Sequence, residues 1–166
     1  MSPPRQSLVA ALGFVLLAPG AAIAQAAPAN TAAAVQPSAA ERAAVHRAAL
    51  DYLEGFYEGD TAKLVRSVRP DVDKRGYERA RNATAYTEDR MAWPAFLTYA
   101  NQVKARNRPP NPTWPKEVQL LDVLDQTAAV KVTAWWGTDY LFLAKFDGRW
   151  MITQVLWQTP VPAAPK

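Results

Sequence analysis

The hydrophobic pattern of this chain changes period midway. Val45, Ala49, Tyr52, Leu53 and Phe56 recur at i, i+4, i+7, i+8 and i+11 and form one apolar stripe, with Arg47, Asp51, Glu54 and Glu58 elsewhere on the cylinder. This predicts an amphipathic first helix. Gly59 can close it in the left-handed conformation, and Asp60 can cap a short second helix, Thr61 to Val68, which Pro70 keeps from continuing. An irregular or extended segment follows through Tyr86. Pro94 suits the first turn of a third helix carrying Phe96, Leu97, Tyr99, Ala100 and Val103, and ARNRPPNPTWPK then reads as a stiff loop.

From Glu117 onward the period is two. Val118 and Leu120, then Val130, Val132 and Ala134, then Tyr140, Phe142, Ala144 and Phe146, then Trp150 and Ile152 alternate with polar neighbours. Asp125-Gln126, Gly137-Thr138 and Asp147-Gly148 punctuate these runs as turns, and the last is the strongest hairpin signal in the chain. Short connections between successive strands imply an antiparallel meander. Helices followed by strands are the order of an α+β domain, so the expected architecture is three N-terminal helices packed on one face of a strongly bent antiparallel sheet.

Outside this domain, expected over residues 41–159, the two ends read differently. Arg5 gives a positive start, Ser7 to Ala18 is an almost unbroken apolar run, Pro19-Gly20 breaks it, and Ala22-Ile23-Ala24 fits the small-x-small cleavage rule. Residues 1–24 are therefore read as a secretory signal, with a second cleavage register after Ala26. The apolar run falls short of the roughly 20 residues a span needs, so no stable membrane anchor is expected after cleavage. A periplasmic or secreted bacterial protein is the expectation. Residues 25–40 hold eight Ala, two Pro and no charge, and read as a disordered leader. Residues 160–166 read as a Pro-rich tail.

Composition removes several chemistries. With 0 Cys there is no disulfide framework or thiolate catalysis, and with 1 His, His46, most zinc and iron sites lack their usual ligands. Leu50 rather than a second ligand stands at i+4 from His46, so no metal site is expected there. No serine-elbow motif or Gly-rich phosphate loop occurs, and no cofactor is expected. The net charge of +4 carries no long basic run, so nucleic acid is not an expected partner. What the chain does hold in quantity is aromatic surface: 6 Trp, 6 Tyr and 5 Phe.

Three segments carry a resemblance. YLEGFYEGD (Tyr52 to Asp60), RPDVDKRGY (Arg69 to Tyr77) and DYLFLAKFDGRWMITQVLW (Asp139 to Trp157) resemble the signature segments of the bacterial family catalogued as Putative lumazine-binding, within the nuclear-transport-factor-2-like superfamily. The resemblance implies a cystatin-like cone of bent sheet and three helices, a pocket inside it, and a homodimer through the outer sheet face. Arg69 and Phe142 stand where the family pattern often carries His, so an imidazole-based activity is not implied for this chain.

Candidate site residues follow from the strand pattern and the aromatic stock. Asp139, between Trp136 and Tyr140, is either a solvated turn aspartate or a cavity carboxylate, and in the second case a general base of the kind superfamily isomerases use. Lys74 and Arg75 either clamp an anionic or carbonyl group or pair with Asp71, Asp73 or a helix carboxylate. Tyr57, Trp136, Tyr140, Gln154 and Trp157 either line a cavity, with hydroxyl, amide and indole groups orienting a ligand, or fill a core. Asp51, Glu54 and Glu58 are read as a solvated stripe balanced by Arg47. Two functions are open at this level. One is a non-catalytic exported pocket domain for a small apolar or aromatic ligand, or a dimerising module. The other is a cofactor-free isomerase, dehydratase or cyclase with Asp139 as base and Tyr57, Tyr140 or Arg75 polarising a carbonyl.

Overall fold

The structure, a computed structural model, describes residues 36–161. The segment read as a secretory signal, most of the segment read as an Ala-Pro leader and residues 162–166 lie outside the described residues.

Helix α1 (Ala39–Glu58) starts two residues inside the expected leader, because the Ser38 side chain accepts a hydrogen bond from the Glu41 backbone N–H at 3.1 Å. It ends at Gly59, whose φ is 70°. A Cβ there would meet the Ala100 carbonyl oxygen at 2.5 Å, so glycine both supplies the left-handed cap and lets α3 (Trp93–Ala105) cross closely. Helix α2 (Thr61–Ser67) is capped by Asp60, which accepts from the backbone of Ala62 and Lys63. The chain then runs without a loop into strand β1 (Val68–Glu78). A short β2 (Thr87–Arg90) follows, and after α3 come β3 (Glu117–Val123), β4 (Thr127–Ala134), β5 (Gly137–Phe146) and β6 (Arg149–Gln158).

The last four strands form the expected antiparallel meander, and the three helices are those expected from periodicity. The sheet as a whole has six strands in the order β2-β1-β6-β5-β4-β3 and is mixed, because β1 lies parallel to β6. That refines the all-antiparallel expectation. A parallel neighbour needs a long return connection, and the rest of the domain between β1 and β6 supplies it. Pro70 is accommodated where the β1–β6 register shifts, between Val68 and Asp73.

Two turns set the strand faces. Asp147 (φ 49°) and Gly148 (φ 76°) give the β5–β6 hairpin the two positive φ values of a tight two-residue turn. The β4–β5 turn is Trp135-Trp136 rather than the expected Gly137-Thr138, since Ala134 already pairs with Gly137. Two indoles are thereby placed at one end of the sheet.

The helices cover the inner face, where Tyr52, Leu53, Phe96, Val130, Val132, Leu141 and Ile152 are fully buried. On the helical side Asp51 is nearly buried and is held by Arg47 and Arg66, while Lys63 bridges Glu54 and Glu58. The predicted stripe is thus an ion-pair network linking α1 to α2. Trp150 Nε1 donates to Glu41 at 2.6 Å and ties the start of α1 to the far hairpin. Among the described residues no helix is long and apolar enough to cross a membrane.

Candidate functional site

Strand alternation decides which side chains meet the helices. In β1, Val72, Lys74 and Gly76 are buried, while Asp73, Arg75 and Tyr77 lie on the other face. In β5 the same rule puts Asp139 inside and Tyr140 and Phe142 outside. In β6, Val155 is buried and Gln154 and Leu156 are exposed.

Between the inner sheet face, α1, α3 and the Trp135-Trp136 turn lies an open cavity of about 1020 Å³. Its walls include Phe56, Met91, Tyr99, Trp135, Trp136 and Trp157, with Lys74 among them; exposed Glu78, Arg81 and Asp89 stand at the rim with Arg79. The size suits a drug-sized molecule, and an aromatic inner wall with polar groups to orient the occupant is the usual make-up of a ligand site. Gly76 makes one wall possible. It pairs across the parallel ladder with Trp157, and a Cβ at Gly76 would lie 1.8 Å from that indole. Trp157 therefore lies flat on the strand backbone, its buried Nε1 without a hydrogen-bond partner among the described residues.

Behind the aromatic wall runs a buried polar chain. Lys74 Nζ donates to the Tyr52 hydroxyl at 2.7 Å, and that hydroxyl donates to Asp139 Oδ2 at 2.6 Å. Trp136 Nε1 donates to the other carboxylate oxygen at 2.9 Å. Tyr52 and Asp139 are fully buried and Lys74 is 8% exposed. The lysine nitrogen also sits 4.9 Å from the Phe56 ring centroid, 5.2 Å from Tyr52, 5.3 Å from Phe96 and 5.9 Å from Trp157, within cation–π range of all four.

Burial and these contacts shift two protonation equilibria. Desolvation pushes the Lys74 amine below the ordinary lysine value, against the opposing pull of the Asp139 and Asp89 charges. Burial, with the adjacent Asp139 charge and hydrogen bond, pushes the Tyr52 phenol well above its usual value. Tyr52 is thus a neutral bridge that accepts from the lysine and donates to the carboxylate.

The residues singled out from sequence divide sharply. Trp136 and Trp157 are in the cavity wall. Tyr57 is buried beside it rather than lining it; its hydroxyl donates to the Pro115 carbonyl at 2.7 Å and accepts from Trp135 N–H at 3.0 Å, which fixes the indole-bearing turn. Tyr140 and Gln154 are on the outer face, and Arg75 pairs there with Asp73 at 3.1 Å and reaches Glu88. None of these three meets the cavity. Asp139 is deep inside, not a solvated turn residue, but it stands behind Trp136 and Tyr52 and does not itself line the cavity. Arg69 pairs with Asp71 and stacks 4.3 Å over Phe146, and Phe142 is exposed on the outer face. Neither Arg69 nor Phe142 lines this cavity. Among the described residues no three His, Asp or Glu side chains gather as a metal site.

Tyr52, Phe56, Met91, Tyr99 and Trp135 are among the site residues that sequence reasoning did not single out. The signal for the first two was present, since Tyr52 and Phe56 are i, i+4 neighbours on the buried stripe of α1. Lys74 and Arg75 are adjacent in β1, and consecutive strand residues face opposite ways, so only one of them can reach the inside.

The family whose profile matches this chain, over residues 40–158, is described as Putative lumazine-binding. A search of curated proteins gives no match. Among solved structures, an NTF2-like protein of unknown function from Methylobacillus flagellatus is similar at a TM-score of 0.56 and 16% identity, covering 77% of this chain and 98% of that one. Another from Shewanella baltica has a TM-score of 0.55 and 13% identity, covering 73% of this chain and 94% of that one. A protein of unknown function with a cystatin-like fold from Nostoc punctiforme has a TM-score of 0.52 and 8% identity, covering 78% and 98%. At such identities the likeness concerns the fold alone.

Proposed function

We infer that this chain, which belongs to the Putative lumazine-binding family, is an exported pocket domain that binds a small, planar, largely apolar compound in the cavity between its helices and its sheet. The observation that carries this reading is the cavity itself, with the Phe56, Trp136 and Trp157 rings around it and the buried amine of Lys74 in its wall. The Trp136 indole, held by its hydrogen bond to Asp139, on a turn whose Trp135 backbone N–H is held by the Tyr57 hydroxyl, gives a flat, pre-set surface for stacking, and little ordering entropy is lost when a flat ligand enters. Lys74 would meet a carbonyl, enolate or other electron-rich oxygen on that ligand. Export rests on the Arg5, Ser7 to Ala18 and Ala22-Ile23-Ala24 pattern, which supports a periplasmic or secreted location.

A non-catalytic role fits the state of Asp139. Both of its oxygens already accept hydrogen bonds, from Tyr52 and Trp136, and it does not line the cavity, so a ligand cannot hand it a proton directly. An isomerase-type reaction would have to pass protons through Lys74 and Tyr52. A second role has its own support: Tyr140, Phe142 and Leu156 form an exposed apolar patch on the outer sheet face, which suits a homodimer. Native mass spectrometry of protein isolated from its own cells tests the main reading. A retained compound released on denaturation is expected, and its loss when Trp157 is changed to Ala would place it in this cavity. A bare protein mass under gentle conditions would count against tight binding.

A further inference from the structure

The position of Lys74 goes further than ligand orientation. We propose that Lys74 is a carbonyl-capturing amine, which joins an aromatic aldehyde or ketone entering the cavity as a covalent imine. This rests on reading the cavity as a ligand site.

Three observations carry it. Lys74 is in the cavity wall, and its nitrogen is 4.9 Å and 5.9 Å from the ring centroids of Phe56 and Trp157, two other wall residues, so an aromatic carbonyl stacked there presents its carbon to the amine. The only hydrogen-bond partner of Nζ among the described residues is Tyr52, which leaves the rest of its valence free of protein acceptors. Tyr52 in turn leads to Asp139, so hydrogen bonds of 2.7 Å and 2.6 Å in series connect amine to carboxylate. A proton can leave the ammonium for the phenol oxygen while the phenol passes its own proton to Asp139, and Tyr52 stays neutral throughout. Burial favours the uncharged amine that results, in line with the lowered basicity of Lys74.

The chemistry balances without an oxidant or a cofactor. Nζ forms a bond to the carbonyl carbon, the C=O π pair moves to oxygen, and a proton from nitrogen reaches that oxygen to give a carbinolamine. The nitrogen lone pair then closes the C=N bond as the C–O bond breaks, and the oxygen leaves as water on the proton that Asp139 held, returned through the Tyr52 hydroxyl. Of the three hydrogens of the starting ammonium, two depart in that water and one remains on the iminium. Asp139, again ionised, balances the iminium charge across Tyr52. Neither Arg79 nor Arg81 at the rim can replace the lysine, since a guanidinium keeps its proton.

Reductive trapping tests this on the full chain. The protein is incubated with 2-naphthaldehyde and sodium cyanoborohydride, and modified lysines are located by peptide mass mapping. Lys74 should carry the probe mass less one oxygen, and acquire it about 100-fold faster than exposed Lys104 or Lys116, the low end of what positioned acid–base groups contribute. Lys74→Arg should abolish this labelling. Equilibrium dialysis with 2-naphthalenemethanol, which has no carbonyl, reports cavity binding separately on the wild-type protein. Binding of the alcohol with no label at Lys74, or with Lys74 labelled at the same rate as Lys104 and Lys116, overturns the imine and leaves the pocket. Failure of both probes removes the pocket reading as well. Because the wild-type map alone decides the site of labelling, the test holds even where the Arg variant does not fold.

Discussion

Replacing Tyr52 with Phe removes one oxygen and nothing else, and that oxygen bridges two buried ionisable groups. Lys74 Nζ loses its only hydrogen-bond acceptor among the described residues and Asp139 Oδ2 loses a donor, at 2.7 Å and 2.6 Å respectively. Hydrogen bonds to charged groups are worth about 1.5–3 kcal/mol each, and a stranded buried partner costs the upper part of that range, so about 3–6 kcal/mol is expected from the pair. For a domain of this size that corresponds to a fall in Tm of at least about 10 °C. Thermal and urea unfolding measure it, with an unchanged urea slope showing that the unfolded state has not altered. The Tyr52 phenol adds a sign. Its folded pKa is raised, so its contribution is fully present below the ordinary value of 10.0 and is lost as pH climbs beyond that toward the folded value. The gap between wild type and Tyr52→Phe should therefore narrow above pH 10. A double variant with Lys74→Met should cost at least about 1 kcal/mol less than the sum of the singles, because they share one network. A Tyr52→Phe loss of under about 0.5 kcal/mol, the level of an ordinary surface change, would refute the buried chain.

Gly76→Ala puts a methyl group into the Trp157 indole; calorimetry should register about 1–3 kcal/mol of destabilisation, and uptake of flat aromatic probes should weaken with it. Burial raises the Asp51 carboxyl, but the hydrogen bonds and charges of Arg66 and Arg47 outweigh that and leave its pKa below 3.8. Asp51→Asn should thus cost about 2 kcal/mol at pH 7, and the difference from wild type should vanish as pH falls through the lowered folded value; a gap unchanged at pH 2 would contradict the ion-pair assignment. Phe142→Glu places a charge on the exposed outer sheet face, and sedimentation equilibrium should report a dimer for the wild type and a monomer for the variant. Equal masses for the two proteins would remove this face as the dimer surface.

Much of the fold was legible because its signals are local. The Val45 to Phe56 stripe, the Gly59-Asp60 cap pair and the Asp147-Gly148 turn each act within a few residues, and each appears where periodicity and turn chemistry place it. Strand β1 was harder. Its outward positions are Asp73, Arg75 and Tyr77, its inner ones include Lys74 and Gly76, and it carries Pro70, so apolar alternation is nearly absent. Only its pairing with β6 and β2 reveals a strand. The turn between β4 and β5 was misplaced by two residues because Gly137 is a strong turn signal, whereas register made Trp135 and Trp136 the turn. The site suffered from the same limit. Outer-face aromatics such as Tyr140 look no different in sequence from inner ones such as Trp157, and a bulge between Phe142 and Leu143 in the β5–β6 pairing shifts the count. Tyr52 was legible as core and illegible as a hydrogen-bond bridge, since its partners lie 22 and 87 residues away.

The central claim is that the aromatic cavity receives a ligand, and the indole N–H signals of the 6 Trp offer a direct reading of it. In a two-dimensional ¹⁵N–¹H spectrum titrated with 2-naphthalenemethanol, Trp135, Trp136 and Trp157, which line the cavity, should shift together and saturate on one binding curve. Trp150, whose Nε1 is committed to Glu41 at the far hairpin, should stay in place. Movement of Trp150 as large as that of Trp157, or six unmoved signals at millimolar probe, would contradict the account.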